Sequence, residues 1–112
     1  MIRHTPPDEY KHDPCSIVGI GCATEKHLHF STSHADGYMT LRDMNKIVRE
    51  NCTVKKRIDY KRGQRPKLRD LHLDGRALVC VYGHFLYVDR EEYWSFFDNE
   101  DDEVVAVWLL KD

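Results

Sequence analysis

The last third of the chain alternates short apolar runs with short polar turns, and this pattern constrains the fold most. The segment 76–82 contains a continuous apolar run, which is typical of a central strand with both faces buried. Three further strand-like runs follow, and turns containing Gly, Asp, Glu or Asn separate them. The predicted strands are residues 76–82, 84–88, 93–97 and 104–110. Their order predicts an antiparallel sheet of about four strands at the C-terminal end.

A first helix is predicted upstream of this sheet, over residues 14–25. Asp13 and Pro14 favour a helix start, because Asp can cap free backbone N–H groups and Pro needs no N–H partner at the first position. Gly19 and Gly21 weaken the helix intrinsically. Two glycines in a short apolar helix indicate that another element packs closely against its backbone.

A second helix is predicted over residues 40–51. Thr40 is suited to the N-cap, and Asp43 stands in the position that completes a capping box. Two helices followed by an antiparallel sheet define an α+β domain. Residues 54–60 and 27–30 are predicted as additional short strands.

The length of 112 residues fits one domain. Residues 1–12 are mostly polar, contain two consecutive prolines and are predicted as an irregular N-terminal arm. Residues 13–112 are predicted as the single domain. The apolar fraction of 41% is sufficient for one hydrophobic core.

Basic and acidic residues are concentrated in different segments. Residues 46–70 contain ten Lys or Arg and three Asp or Glu, a net charge of +7, whereas residues 89–112 have a net charge of −7. One interpretation is two solvated faces of opposite sign. The other is a basic rim that attracts an acidic partner, such as a larger protein. The overall charge of −2 argues against a nucleic-acid-binding function.

The cysteines and the apolar runs bear on cellular location. Cys22 and Cys80 lie within apolar runs and are predicted as buried free thiols. Residues 1–14 lack the apolar run of a secretory signal, and the longest apolar run, residues 104–110, is too short to span a membrane. These features predict a cytoplasmic, reducing location without membrane association.

Cys15 is the candidate nucleophile. It lies in the first turn of the predicted first helix, where free N–H groups and the helix dipole favour an anion. We expect this position to lower the pKa of the thiol and so to make the thiolate more available for nucleophilic attack.

His84 and Asp98 are the candidate partners of this cysteine. If residues 90–92 form a three-residue loop, Asp89 faces Tyr93, and the same register places His84 opposite Asp98. Opposed residues of an antiparallel pair share a face, with Cβ atoms about 5 Å apart. An acid that orients an imidazole beside a cysteine forms the thiol version of the catalytic triad.

Three short motifs occur in a characteristic order. Asp-Pro-Cys opens a helix at residues 13–15, Gly-His-Phe-Leu-Tyr-Val occupies residues 83–88, and Tyr-Trp-Ser-Phe-Phe-Asp-Asn occupies residues 93–99. In this order and spacing the chain resembles the papain-like cysteine peptidases, and most closely the compact bacteriocin-processing type called peptidase C39-like. The helix at residues 40–51 also resembles the second helix of that family, with Met44 at its second Leu position. The resemblance covers nearly all of the chain after residue 12.

The resemblance implies a thiol hydrolase, either a cysteine peptidase or an amidase, with a papain-like fold. Cys15 would attack the carbonyl of a peptide or amide substrate, His84 would transfer the proton, and Asp98 would orient the imidazole. Asn99 is the second candidate for the orienting role. The implied reaction passes through a thioester intermediate and requires no cofactor.

The chain departs from the family pattern near the nucleophile. The family has a Gln shortly before the cysteine as an oxyanion donor, whereas the single Gln here is Gln64, far downstream. Tyr10 or His12, together with the Cys15 backbone N–H, could substitute, and loss of such a donor costs about 100- to 1000-fold in rate. Ser16 replaces the family's Gly. The alternative function is therefore a catalytically weak or inactive scaffold that binds or inhibits another protein.

A metal site is a further alternative, since cysteines and histidines cluster in the first third of the chain. The residues in question are Cys15, Cys22, His27, His29 and His34. Their spacing matches no standard zinc motif, and alternating histidines are common on strand faces. We therefore predict no metal site.

Overall fold

The computed structural model describes residues 1–25 and 40–111. Within these residues the fold is α+β, as predicted, with two α-helices and a six-stranded sheet. The helices are α1 (Cys15–Thr24) and α2 (Leu41–Asn51). The strands are β1 (Ile2–His4), β2 (Val54–Asp59), β3 (Arg76–Val81), β4 (His84–Asp89), β5 (Glu92–Trp94) and β6 (Val104–Leu110). The strand predicted at residues 27–30 lies outside the described residues.

The sheet has the order β1-β5-β4-β3-β6-β2, so the prediction of four strands is wrong. The strand predicted at residues 54–60 pairs antiparallel with β6 and extends the sheet at one edge. At the other edge β1 pairs parallel with β5, and Ile2 lies opposite Glu92. The first residues are therefore part of the sheet rather than an irregular arm. A strand of three residues is too short to show alternation, which explains why the pattern did not predict β1.

The hairpin between β4 and β5 has a two-residue turn, and the predicted register is therefore wrong by one residue. Asp89 pairs with Glu92, and Val88 pairs with Tyr93. Such tight hairpins favour residues with positive φ, usually Gly or Asn. Here Arg90 adopts that conformation, with φ +55°, so the sequence contained no turn signal for it.

The sheet is buried on both faces. Helices α1 and α2 cover one face, where Leu78, Phe85 and Trp108 are among the core residues. The irregular segment between β2 and β3 covers the opposite face through Leu68 and Leu71. Strand β3 contributes side chains to both clusters, in agreement with its continuous apolar sequence.

The glycines of α1 permit the close packing that the sequence predicted. An ideal Cβ atom on Gly19 would lie 2.8 Å from the Phe85 ring, and one on Gly21 would lie 2.6 Å from the Tyr10 hydroxyl. Both distances are shorter than real Cβ contacts. The backbone of α1 therefore lies directly against β4 on one side and against residue 10 on the other.

The two helices begin differently. Thr40 caps α2 as predicted: its Oγ1 accepts a hydrogen bond from Asp43 N–H at 3.2 Å. At the start of α1 the N-cap residue is Pro14, which provides no side-chain cap, whereas the sequence predicted Asp13 as the cap and Pro14 as the first helical residue. Asp13 stands one position outside the helix.

The segments of opposite charge lie next to each other. Arg69 forms an ion pair with Asp101 at 2.6 Å, and Lys67 bridges to Glu103 through a backbone β-bridge. Part of the positive charge of residues 46–70 is thus neutralised by the acidic segment. Lys55 and Lys56 are exposed on the edge strand β2.

Candidate functional site

Cys15 is the first residue of α1 and is only partly accessible. Its side chain packs against the core cluster between the helices and the sheet. Burial raises the pKa of the Cys15 thiol, although backbone N–H groups of Phe85, Ser16 and Cys15 itself oppose this effect. The prediction of a lowered pKa is therefore wrong, because the loss of solvent outweighs the helix start. The resting group is a protonated thiol.

His84, the first residue of β4, interacts with Ser95 near the end of the neighbouring strand. Its Nε2 atom lies 3.3 Å from Ser95 Oγ. The single proton of the Ser95 hydroxyl is donated to Asn99 Oδ1, at 2.5 Å. Ser95 Oγ must therefore accept a hydrogen bond from His84, which fixes the proton of the neutral ring on Nε2. This tautomer leaves Nδ1 as the unprotonated nitrogen.

The hydrogen-bond chain continues from Asn99 to a carboxylate. Asn99 Nδ2 donates to Asp102 Oδ2 at 2.7 Å, an interaction that also fixes the orientation of the Asn99 amide. Ser95 and Asn99 are both buried. Burial lowers the pKa of His84, and the negative charge of Asp102 opposes this effect. At neutral pH His84 is consequently an unprotonated imidazole, available as a base.

Asp98 lies outside this chain of hydrogen bonds. It is exposed, and its Oδ1 accepts hydrogen bonds from the Tyr93 hydroxyl at 3.4 Å and from Glu100 N–H at 3.1 Å. The predicted opposition of His84 and Asp98 required the three-residue loop that the structure does not have. Asn99, the second candidate for orientation, is connected to His84 through Ser95.

Cys15 and His84 line the same cavity, which has a volume of about 270 Å³. Phe85 faces α1, so the alternation of β4 directs His84 to the side of Leu86, away from the helix. The cavity lies where β5 ends at Trp94, and residues 95–97 form its wall on that side. Cys15 and His84 thus both line this space at the end of the sheet.

The predicted oxyanion candidates are at different locations. His12 is exposed and lines the cavity together with Cys15. Tyr10 is buried, and its hydroxyl lies against Gly21. Six residues of helix separate Gly21 from Cys15, which corresponds to about 9 Å. The backbone N–H groups at the start of α1 are therefore closer to the thiol than the Tyr10 hydroxyl is.

Ser95 and Asp102 are residues of the candidate site that the sequence pattern did not predict. Ser95 was predicted in the middle of the strand at residues 93–97, and Asp102 in the turn that follows this strand. Continuation of the two-residue hairpin register places Ser95 opposite Leu86, on the same face as His84, and so indicates a diagonal contact between Ser95 and His84. Asp102 is eighteen residues from His84 in a loop, and no periodicity connects the two residues.

The residues proposed for the alternative metal site are only partly described. His27, His29 and His34 lie outside the described residues. Cys15 and Cys22 are on α1, and all four cysteines of the chain are free thiols. Cys80 is buried as predicted, whereas Cys22 is only half-buried. Among the described residues, no cluster of three or more His, Cys, Asp or Glu side chains could hold a metal ion.

A second and larger cavity, of about 740 Å³, lies near the other end of α1. Its lining includes Cys22, Arg76 and Tyr87. Arg76 Nε donates to the Tyr87 hydroxyl at 2.9 Å, and Arg76 also donates to the carbonyl of Ala23 in the last turn of α1. Trp94 lines both cavities and stands between them.

Comparisons with known proteins gave no match to a family model, to a curated protein or to a solved structure. Within residues 1–25 and 40–111, none of the helices combines the length and the apolar character needed to cross a bilayer. The function is therefore inferred from the site itself.

Proposed function

We propose that the protein is a thiol hydrolase of the papain-like type, which cleaves an amide or peptide bond with Cys15 as nucleophile and His84 as base. The observation that carries the proposal is the cavity that both residues line. A second observation supports it: Ser95 holds the His84 proton on Nε2, so Nδ1 is the basic atom. Nδ1 has no hydrogen-bond partner among the described residues.

In the proposed reaction the thiol and the imidazole are both neutral at rest. The Cys15 sulfur attacks the substrate carbonyl carbon while its proton passes to His84 Nδ1. The resulting imidazolium gives this proton to the leaving amine, and a thioester remains on Cys15. Water, activated by His84, then attacks the thioester and releases the carboxylic acid and the free thiol.

The surrounding groups have separate roles in this mechanism. Ser95 and Asn99 are positioning residues, because they act on the substrate only through the orientation of His84. The Cys15 and Ser16 backbone N–H groups at the start of α1 are the donors proposed for the oxyanion. Asp102 stabilises the imidazolium by its negative charge, which opposes the lowering of the His84 pKa by burial.

The proposal is tested by labelling the folded protein with iodoacetamide and locating the modified cysteines by mass spectrometry. Cys15 should react faster than Cys22, Cys52 and Cys80, and His84→Ala should slow its labelling about tenfold or more, because the base is lost. His72→Ala is the matched control, since His72 is exposed and contacts Glu91. Comparably slow labelling of all four cysteines would exclude this function.

A second candidate function is a protein-binding module on the same scaffold. It is favoured by two large exposed aromatic residues: Tyr82, two residues before His84, is 77% exposed, and Phe97, which contacts the His84 ring, is 63% exposed. Exposed aromatic side chains are enriched at protein interfaces. The second function predicts that Cys15 shows no selective reactivity, whereas Tyr82→Ala and Phe97→Ala both weaken binding to a protein partner.

A further inference from the structure

The cavity between Cys15 and His84 has an asymmetric lining. Its inner wall is formed by five apolar side chains, four of them aromatic: Val18, Phe85, Trp94, Phe96 and Phe97. Charged residues are confined to the segment 11–13, which precedes α1. A group that enters the cavity therefore meets aromatic carbon together with the polar atoms of His84, Ser95 and residues 11–13.

Phe97 is the most unusual of these residues. Its ring meets the His84 ring edge-on, with centroids 5.9 Å apart and planes at 85°. Despite this contact the side chain is 63% exposed. The neighbouring Phe96 instead packs against the buried cluster of Tyr10, Ile17 and Val18. Phe97 thus presents aromatic surface at the cavity, next to the candidate base.

The size of the cavity limits what can bind. Sites for drug-sized ligands have volumes of about 300–1,000 Å³, and this cavity, at about 270 Å³, is slightly smaller. It can accommodate one compact group, such as a phenyl ring or a branched aliphatic side chain. A folded loop of a protein substrate is too large for it.

We propose that this cavity binds the acyl part of the substrate, and that the substrates are small amides of aromatic or branched aliphatic carboxylic acids. Phe97 is then a specificity-determining residue, which packs on the acyl group while the carbonyl lies between Cys15 and His84. This inference rests on the proposed function of Cys15 as nucleophile. It goes further because it names the chemistry of the group that is transferred.

The test compares two electrophiles that differ only in the group that would enter the cavity. Phenyl vinyl sulfone and methyl vinyl sulfone are each reacted with the full chain, and the rate of Cys15 modification is measured by mass spectrometry. Rates with glutathione correct for the intrinsic reactivity of the two reagents. The corrected preference of Cys15 for the phenyl reagent should be about tenfold or more, as expected for an apolar group that fits its pocket.

Substitutions of Phe97 and Tyr82 test whether the phenyl preference of Cys15 arises from the cavity. Phe97→Ala should reduce the corrected phenyl preference at least about threefold. Phe97→Leu retains apolar surface and should reduce the preference less, with about half the effect of Phe97→Ala on a logarithmic scale. Tyr82→Ala is the matched control, because Tyr82 is also exposed and aromatic but does not line the cavity. Its phenyl preference should equal that of the unsubstituted protein. Circular dichroism confirms that each variant is folded.

The outcomes separate this inference from the function on which it rests. If Cys15 is labelled selectively but shows no phenyl preference beyond that of glutathione, the substrate class is wrong and the hydrolase proposal stands. If Phe97→Ala and Tyr82→Ala reduce the preference equally, the effect belongs to the general surface and the role of Phe97 is excluded. If Cys15 is not selective with either reagent, both proposals fail.

Discussion

The Ser95 hydroxyl lies 3.3 Å from His84 Nε2 and at the same time donates its proton to Asn99. A hydroxyl has one proton to donate, so these two contacts together determine where the histidine proton resides. The sequence predicted a direct contact between His84 and the carboxylate of Asp98. In the structure the buried Ser95 instead contacts His84 and connects it to the amide of Asn99.

Removal of the Ser95 hydroxyl should lower the free energy of unfolding. Ser95→Ala leaves the Asn99 carbonyl and the Phe97 N–H without their partner, and an unpaired buried polar group costs about 1–3 kcal/mol. We expect a loss of that size in the free energy of unfolding, measured with urea. The ¹⁵N chemical shifts of His84 should also change from a single tautomer toward a mixture.

Ser16 provides the matched control for this substitution. It is as buried as Ser95, but its hydroxyl has no hydrogen-bond partner among the described residues. Ser16→Ala removes a desolvated polar group and should leave stability within about 0.5 kcal/mol of the unsubstituted protein, or raise it. Equal losses for the two substitutions would contradict the hydrogen-bond assignment.

The roles of Asp98 and Asn99 are separated by a second pair of variants. Asn99→Ala interrupts the chain between Ser95 and Asp102 and should slow alkylation of Cys15 about threefold to tenfold, if His84 acts as its base. Asp98→Asn should leave the rate unchanged, since that carboxylate contacts Tyr93 and Glu100 instead. The opposite ranking would restore Asp98 as the orienting residue.

Stability should decrease in mild acid because of His84. Burial holds the pKa of His84 below its ordinary value of 6.5, so the folded state binds the proton more weakly than the unfolded state. The contribution of neutral His84 to the stability of the folded state is present above about pH 6.5 and is lost as the pH falls through the pKa of His84 in the folded state. The free energy of unfolding should therefore fall between about pH 7.5 and 5.5, and it should fall less for His84→Gln.

Stability should also decrease in alkali because of the buried thiols. Burial raises the pKa of Cys80 to about 11 from an ordinary value of 9.0. The unfolded chain releases this proton first, so the contribution is complete below pH 9 and is lost as the pH rises through the folded value. Urea unfolding between about pH 8.5 and 10.5 should show this decline, and Cys80→Ala should make it shallower. An unchanged slope in the variant would mean that the thiol is not shielded from solvent.

A side chain at position 19 should destabilise the protein, because α1 packs closely against Phe85 at this position. In Gly19→Ala the new Cβ meets the fully buried Phe85 ring at 2.8 Å, and overpacking costs about 1–3 kcal/mol, against a gain of about 1 kcal/mol in helix propensity. We expect a net loss of stability, which Phe85→Leu in the same chain should partly restore. Gly75→Ala is the control, because a Cβ there meets nothing within 4 Å.

The strands of the sheet core and both helices were predictable because burial imposes a regular pattern on them. Strand β6 coincides with its predicted range, and α2 begins at the predicted Thr40 cap. Strand β1 was missed, since its position depends on pairing with β5 and not on its own composition. Local patterns identify an element well when its own residues carry the periodicity.

The candidate site was predictable only in part. Cys15 and His84 are at element starts, and local sequence signals marked both positions. The partner of His84 depended on the hairpin register, and one positive φ angle at Arg90 changed that register. The pKa of Cys15 depended on burial by distant parts of the chain, which no feature near residue 15 reveals.

The position of Trp94 has a practical consequence for measuring ligands. The chain has two tryptophans; Trp108 is fully buried, whereas Trp94 lines both cavities, stacks on His4 and contacts the tilted ring of Tyr87. A molecule that enters either cavity changes the surroundings of one indole and leaves the other in a constant environment. The fluorescence of Trp94 can thus report ligand binding in either cavity, and the fluorescence of Trp108 serves as an internal reference.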